Sequence, residues 1–164
     1  MTDAPLGNGG APAPMTLNVL HQYVKDLSFE NPNTAELIAR PPQTQPQFDI
    51  KVNVNSRPLA ASGDHEVEVS IEGKATAEGR TMFICELVYA GVFRIAGVSQ
   101  ENLGPVLMIQ CPHLLFPFAR QILADSTMHG GYAPLLLPPI DFVGLYQQRM
   151  QQGPAGVTLG GATA

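Results

Sequence analysis

The sequence predicts an α+β fold, a four-stranded antiparallel sheet covered by a main helix and shorter helices. Three observations carry that expectation. Four segments before residue 96 alternate apolar and polar side chains with period two. From Asn102 to Gln152 that alternation gives way to apolar residues at helical spacing, and only Arg120, Asp125, Asp141 and Arg149 carry charge. Gly and Pro gather at the joins, as in PLAASGD (58–64) and AEGR (77–80).

The first strand spans Thr16 to Glu30. Leu17, Val19, Tyr23, Leu27 and Phe29 occupy odd positions, and Asn18, Gln22, Asp26, Ser28 and Glu30 even ones. Leu20, His21, Val24 and Lys25 break the pattern, which predicts a bulge or bend near the middle. In the second strand Phe48, Ile50, Val52 and Val54 alternate with Asp49, Lys51, Asn53 and Asn55. In the third, Val67, Val69, Ile71 and Ala75 alternate with Glu66, Glu68, Ser70, Glu72 and Lys74. Each segment offers one face to a core and one to water. The fourth, Thr81 to about Ile95, is apolar on both faces: Phe83, Cys85, Leu87, Tyr89 and Phe93 form one, while Met82, Ile84, Val88 and Val92 populate the other beside Glu86 and Arg94.

A helix is expected from His113 to His129, preceded by Cys111-Pro112, stopped by Gly130-Gly131 and bent at Pro117. Its apolar residues, among them Leu115, Phe116, Phe118 and Ile122, sweep roughly two-thirds of the circumference, more than the single stripe a sheet-covering helix needs. The surplus face is expected to pack on another copy of the chain. Leu135 to Pro139 is an apolar loop, and Asp141 is placed to cap a short helix carrying Phe142 and Tyr146. Residues 1–14 and 153–164 are rich in Gly and Pro without apolar periodicity and are expected to be disordered, so the folded domain is 15–152.

A chain of 164 residues suits one domain with a full core. Charged residues make up 14%, against about 25% in an ordinary soluble domain, so a partner is expected to cover part of the surface. A net charge of −5 argues against nucleic-acid binding. Cys85 and Cys111 are too few and too far apart for a disulfide framework or a zinc site. The N-terminus does not read as a secretory signal, and no unbroken apolar run reaches the ~18–20 residues of a membrane span. A reduced, cytoplasmic protein is expected. His21, His65, His113 and His129 are scattered without the neighbours that make a triad or a metal site, so neither enzyme chemistry nor a bound cofactor is expected.

Two constellations remain. Asp26 and Glu30 share a parity and sit about 13 Å apart on a strand, with Glu86 and Ile84 on the outward side of the fourth strand. They form either an ordinary solvated sheet face or an acidic patch around an apolar contact. Phe116, Phe118, Phe142 and Tyr146 lie in the charge-poor half. They are either core or the lining of an adaptable apolar groove.

The stretches YVKDLSFENP (23–32), CELVYAGVFRIAG (85–97), CPHLLFPFARQ (111–121) and GGYAPLLLPPIDFVGLYQQR (130–149) resemble the SecB-type protein-export chaperones. The resemblance spans about residues 15–152 in the same order. It implies a dimer of dimers that binds unfolded precursor polypeptides in the cytoplasm, keeps them translocation-competent without ATP and passes them to the SecA motor. It further implies that Asp26, Glu30, Ile84 and Glu86 contact the zinc-binding C-terminal segment of SecA and that Phe116, Phe118, Phe142 and Tyr146 border the client groove. Phe83, Cys85, Leu87, Tyr89, Cys111, Leu115 and Ile122 are then packing residues of the core and the oligomer. Some members of the family end in acidic residues, whereas GPAGVTLGGATA has no charged side chain. Two other readings of the residues are a carrier of a small apolar ligand and a chaperone of the same fold serving another client, such as a toxin–antitoxin pair.

Overall fold

The computed structural model describes residues 11, 13–59 and 63–153, and the backbone of 157–160. The expected disorder at 1–14 and 153–164 therefore falls largely outside the described residues. At 157–160 it is replaced by a strand.

Four long strands form an antiparallel sheet in the order β1-β4-β3-β2, with β1 Thr16–Glu30, β2 Gln47–Pro58, β3 His65–Ala77 and β4 Arg80–Ala96. The chain then runs through α2 (Gln100–Pro105), a π-helical turn over Val106–Gln110 and α3 (Cys111–His129), and returns through α4 (Phe142–Gln152). A short α1 (Thr34–Ala39), which carries no alternation to betray it, bridges β1 and β2. Val157–Gly160 forms β5 and pairs with β2, so the four-stranded sheet gains a small fifth strand at that edge.

The alternation in β2, β3 and β4 becomes two faces as expected. Ile50, Val52, Val67, Val69, Ile71, Cys85, Leu87 and Phe93 point inward and are essentially fully buried. Above them α3 lays Leu115, Ala119 and Leu123. At Gly91 the helix comes so close that a Cβ would lie 2.8 Å from Leu115 Cδ2 and from the Phe93 ring. The β3–β4 hairpin turns through Glu78 and Gly79, both with positive φ, a two-residue turn matched to the strand twist.

Two departures have physical reasons. Strand β1 has two bulges, between Val19 and His21 and between Val24 and Asp26. Each shifts the side-chain parity by one. Leu17 and Val19, then Gln22 and Val24, then Leu27 and Phe29 therefore face inward, and Tyr23 is turned to the outer face. The helical segment starts at Gln100 rather than His113. Pro105 and Pro112 each lack an N–H, which argues for a break when read from sequence. The π turn between them absorbs the mismatch, with the Cys111 N–H donating to Val106 O, five residues back. The thirty residues Gln100–His129 are long and apolar enough to cross a bilayer by length and composition alone. Here their inner face packs on β3 and β4, the position of a core helix.

Candidate functional site

Among the described residues no helix packs on the outer face of the sheet, and pairing register determines which residues meet there. Asp26 lies opposite Val88, Ser28 opposite Glu86 and Glu30 opposite Ile84. On the other side of β4, Glu72 lies opposite Glu86 and Lys74 opposite Ile84. Directly opposed residues hold their Cβ atoms about 5 Å apart. Asp26, Glu30, Ile84 and Glu86 thus share one face, grouped around an apolar pair, Ile84 and Val88. Asp26, Glu30 and Glu86 have no ion pair or side-chain hydrogen bond among the described residues. The facing carboxylates Glu72 and Glu86 repel one another, while Lys51 pairs with Glu72 at 3.8 Å and Lys74 lies on the same face opposite Ile84. Glu72 is a member that spacing alone could not reveal, because it joins the patch only through the β3–β4 register.

The far end of the same face is ordered differently. Glu66, only 3% exposed, accepts from the Tyr23 hydroxyl, from Arg57 Nε and, at 3.2 Å, from Lys25 Nζ, which also pairs with Glu68. Burial works to raise the Glu66 pKa, but these three donors together outweigh it and bring the carboxyl from 4.5 down to about 2. Arg94 grips Asp64 with two hydrogen bonds of 2.8 and 2.9 Å. One end of the face is internally neutralised, and at the other Asp26, Glu30 and Glu86 have no ion pair among the described residues.

On the helical side the four aromatic candidates do not form one surface. Phe142 is fully buried and Phe116 nearly so, meeting edge to face at 6.0 Å, with His113 against Phe142 at 5.0 Å. Phe118 is 51% exposed and stacks on Tyr89 at 6.2 Å, on the β4 side of α3. Tyr146 lies apart. It lines a narrow cleft of about 20 Å³ at the β2 edge with Val52, Val54, Met108, Leu145 and Arg149, whose guanidinium donates to Val54 O. The sequence did not single out Met108, Leu145 and Arg149, because their proximity depends on the π turn and on where α4 docks.

Of the packing candidates, Phe83, Cys85, Leu87, Tyr89, Cys111 and Leu115 are buried, while Ile122 is half-exposed beside Phe29. Burial pushes the Cys85 thiol up to about 11 and the Cys111 thiol up to about 12, which leaves both without thiolate character at neutral pH. Around them stand exposed apolar side chains on the sheet's inner face and on α3: Val19, Val24, Leu27, Leu114, Phe118 and Met128.

A family model described as preprotein translocase subunit SecB matches residues 11–153. A protein-export protein SecB from Xanthobacter autotrophicus is 56% identical over 147 residues, covering 88% of this chain and 93% of that protein. One from Rhodopseudomonas palustris is 54% identical over 149 residues, covering 89% and 93%. Among solved structures, a SecB-like chaperone from Mycobacterium tuberculosis, held in complex with an antitoxin-derived peptide, gives a TM-score of 0.63 at 13% identity over 76% of this chain and 90% of that one, a likeness of fold. A family match running from the first described residue to the end of α4, with more than half the residues shared with export proteins over nearly their whole length, decides the affiliation: this chain belongs to the SecB family.

Proposed function

We propose that this protein is an ATP-independent cytoplasmic chaperone that binds precursor proteins before they fold, keeps them competent for export and delivers them to the SecA motor. The observation that carries the reading is the division of one sheet into two chemistries. Its inner side and the helices above it present a charge-poor apolar cleft and exposed apolar side chains. Its outer side presents Asp26, Glu30 and Glu86, without an ion pair among the described residues, around Ile84 and Val88.

Burying one client Leu or Phe is worth about 1.5–3 kcal/mol, and ordering the client consumes part of that. A single cleft therefore binds weakly and tolerates many sequences. Several clefts on one assembly, joined by the client's own chain, raise the affinity by about 10²–10⁴-fold. Native proteins are passed over because they have already hidden the side chains the cleft takes. We assign the client surface to the cleft at Tyr146, with Phe116 and Phe142 forming the support beneath it. Phe118, Val24 and Leu27 are assigned to contacts between copies in a dimer of dimers. Asp26, Glu30, Ile84 and Glu86 are assigned to the small, basic, zinc-binding C-terminal segment of SecA, and docking there initiates handover.

The test is binding to one secretory precursor in two states. Association is expected with the denatured precursor and not with its native form; equal affinity for both overturns the chaperone reading. In the same assay, Asp26→Lys combined with Glu30→Lys is expected to weaken SecA binding by about tenfold or more, as reversal of two exposed charges facing a basic partner should, and to spare client binding. Unchanged SecA affinity would reject the outer face as the docking surface.

A further inference from the structure

Strand β2 would be a sheet edge but for four residues. Val157–Gly160 pairs antiparallel with it, Leu159 opposite Ile50 and Val157 opposite Val52. Two residues further along, the next position of the same orientation is Val54. Its N–H donates to Asn53 Oδ1 at 3.0 Å, and its carbonyl accepts from the Arg149 guanidinium. The edge is thus occupied in sequence by a strand of the chain itself and then by two side chains. The apolar cleft of Met108, Leu145 and Tyr146 opens at the same residues, Val52 to Val54.

An exposed strand edge beside an apolar cleft suits an extended polypeptide. Main-chain hydrogen bonds supply affinity without regard to sequence, and alternate side chains lie against the apolar residues at the mouth of the cleft. The covering strand arrives from that side: α4 ends at Gln152, Gly153 turns the chain with φ +81, and β5 begins four residues later.

We propose that Val157–Gly160 is an internal stand-in for a client, occupying the β2 edge while the cleft is empty and leaving when an extended apolar segment adds to β2 in its place. This rests on the chaperone reading above. Four residues form a weak ladder, and Gly160 contributes no side chain to it, so β5 holds the edge by its tether more than by its own contacts. A competitor of this kind lowers the apparent affinity by the fraction of molecules whose edge is free, and so sets a threshold that only segments long enough to pair beyond Val52 pass. It also shields an open edge from pairing with other copies.

The experiment uses the full chain and a reduced, carboxymethylated protein as a permanently unfolded probe. In Leu159→Pro the ladder loses a donor without loss of chain length. In a second variant, residues 157–160 are replaced by a Gly-Ser sequence. Both are expected to bind the probe about three- to tenfold more tightly than the parent chain, the gain set by the occupied fraction that is relieved. In the parent chain, saturating probe is expected to abolish amide-exchange protection at 157–160 while Ile50 and Val52 remain protected. Unchanged affinity in both variants, or protection at 157–160 that survives saturation, overturns the stand-in and leaves the chaperone reading intact. Failure of all three proteins to bind the probe overturns both.

Discussion

Glu66 shows what a single carboxylate can hold together when its surroundings converge on it. It joins β3 to Tyr23 and Lys25 on β1 and to Arg57 on β2, three strands in one cluster. Its folded pKa of about 2 lies below the unfolded value of 4.5. The stabilisation is therefore complete above the unfolded value and drains away as pH falls from about 4.5 toward 2. Glu66→Gln is expected to cost about 1–2 kcal/mol at pH 7, since it keeps an acceptor and loses the charge. It should also flatten the dependence of the urea midpoint on pH between 5 and 2. Midpoints of variant and parent that decline in parallel would remove Glu66 from the acid response. None of this cluster was legible in the sequence. Tyr23 has the parity of the apolar side, and only the bulge between Val24 and Asp26 together with the one before His21 places it beside Glu66. Asp26 and Glu30 were legible as a pair because no bulge separates them, and their meeting with Ile84 and Glu86 needed the β1–β4 register.

At the scale of elements, regular period-two strands declared themselves and irregular backbone did not. β2, β3 and β4 follow the alternation of Val, Ile and Phe residue by residue, and Asp141 caps α4 by accepting the Gly144 N–H at 3.0 Å. The helix from Gln100 to Cys111 was hidden by Pro105 and Pro112, whose local preference is overridden by packing of Val106, Leu107 and Cys111 into the core. β5 was hidden for the opposite reason: VTLG has little to offer unless β2 supplies the ladder. The seating of α3 on the sheet depends on one position without a side chain. Gly91→Val is expected to destabilise by about 1–3 kcal/mol, because Leu115 and Phe93 are both fully buried and have nowhere to retreat. Equilibrium denaturation measures this, and a neutral Gly91→Val would show that α3 rides higher over β4.

For the molecule as a whole, the unspent surface is the guide. Val24 and Leu27 are 45% and 43% exposed on an edge strand, and Val24 lies opposite Tyr89, on which the exposed Phe118 of α3 stacks. Isolated apolar residues on a surface are ordinary, but a continuous set across two elements marks a contact. Val24→Glu together with Leu27→Glu is expected to reduce the sedimentation mass of the assembly to that of a smaller species while the strand content persists. An unchanged mass would locate the contact between copies elsewhere. The low charge of the second half is what leads the sequence to predict an assembly through the main helix; it does not point to β1, which alternates like a half-buried strand yet is exposed along most of its length. The back-to-back arrangement of carboxylates and apolar groups on a single sheet has a last consequence. Ionic strength near 1 M contracts the screening length to about 3 Å and mutes attraction at the carboxylate side, whereas sulfate tightens apolar association at the other. The choice of salt can therefore uncouple the two surfaces without altering a residue.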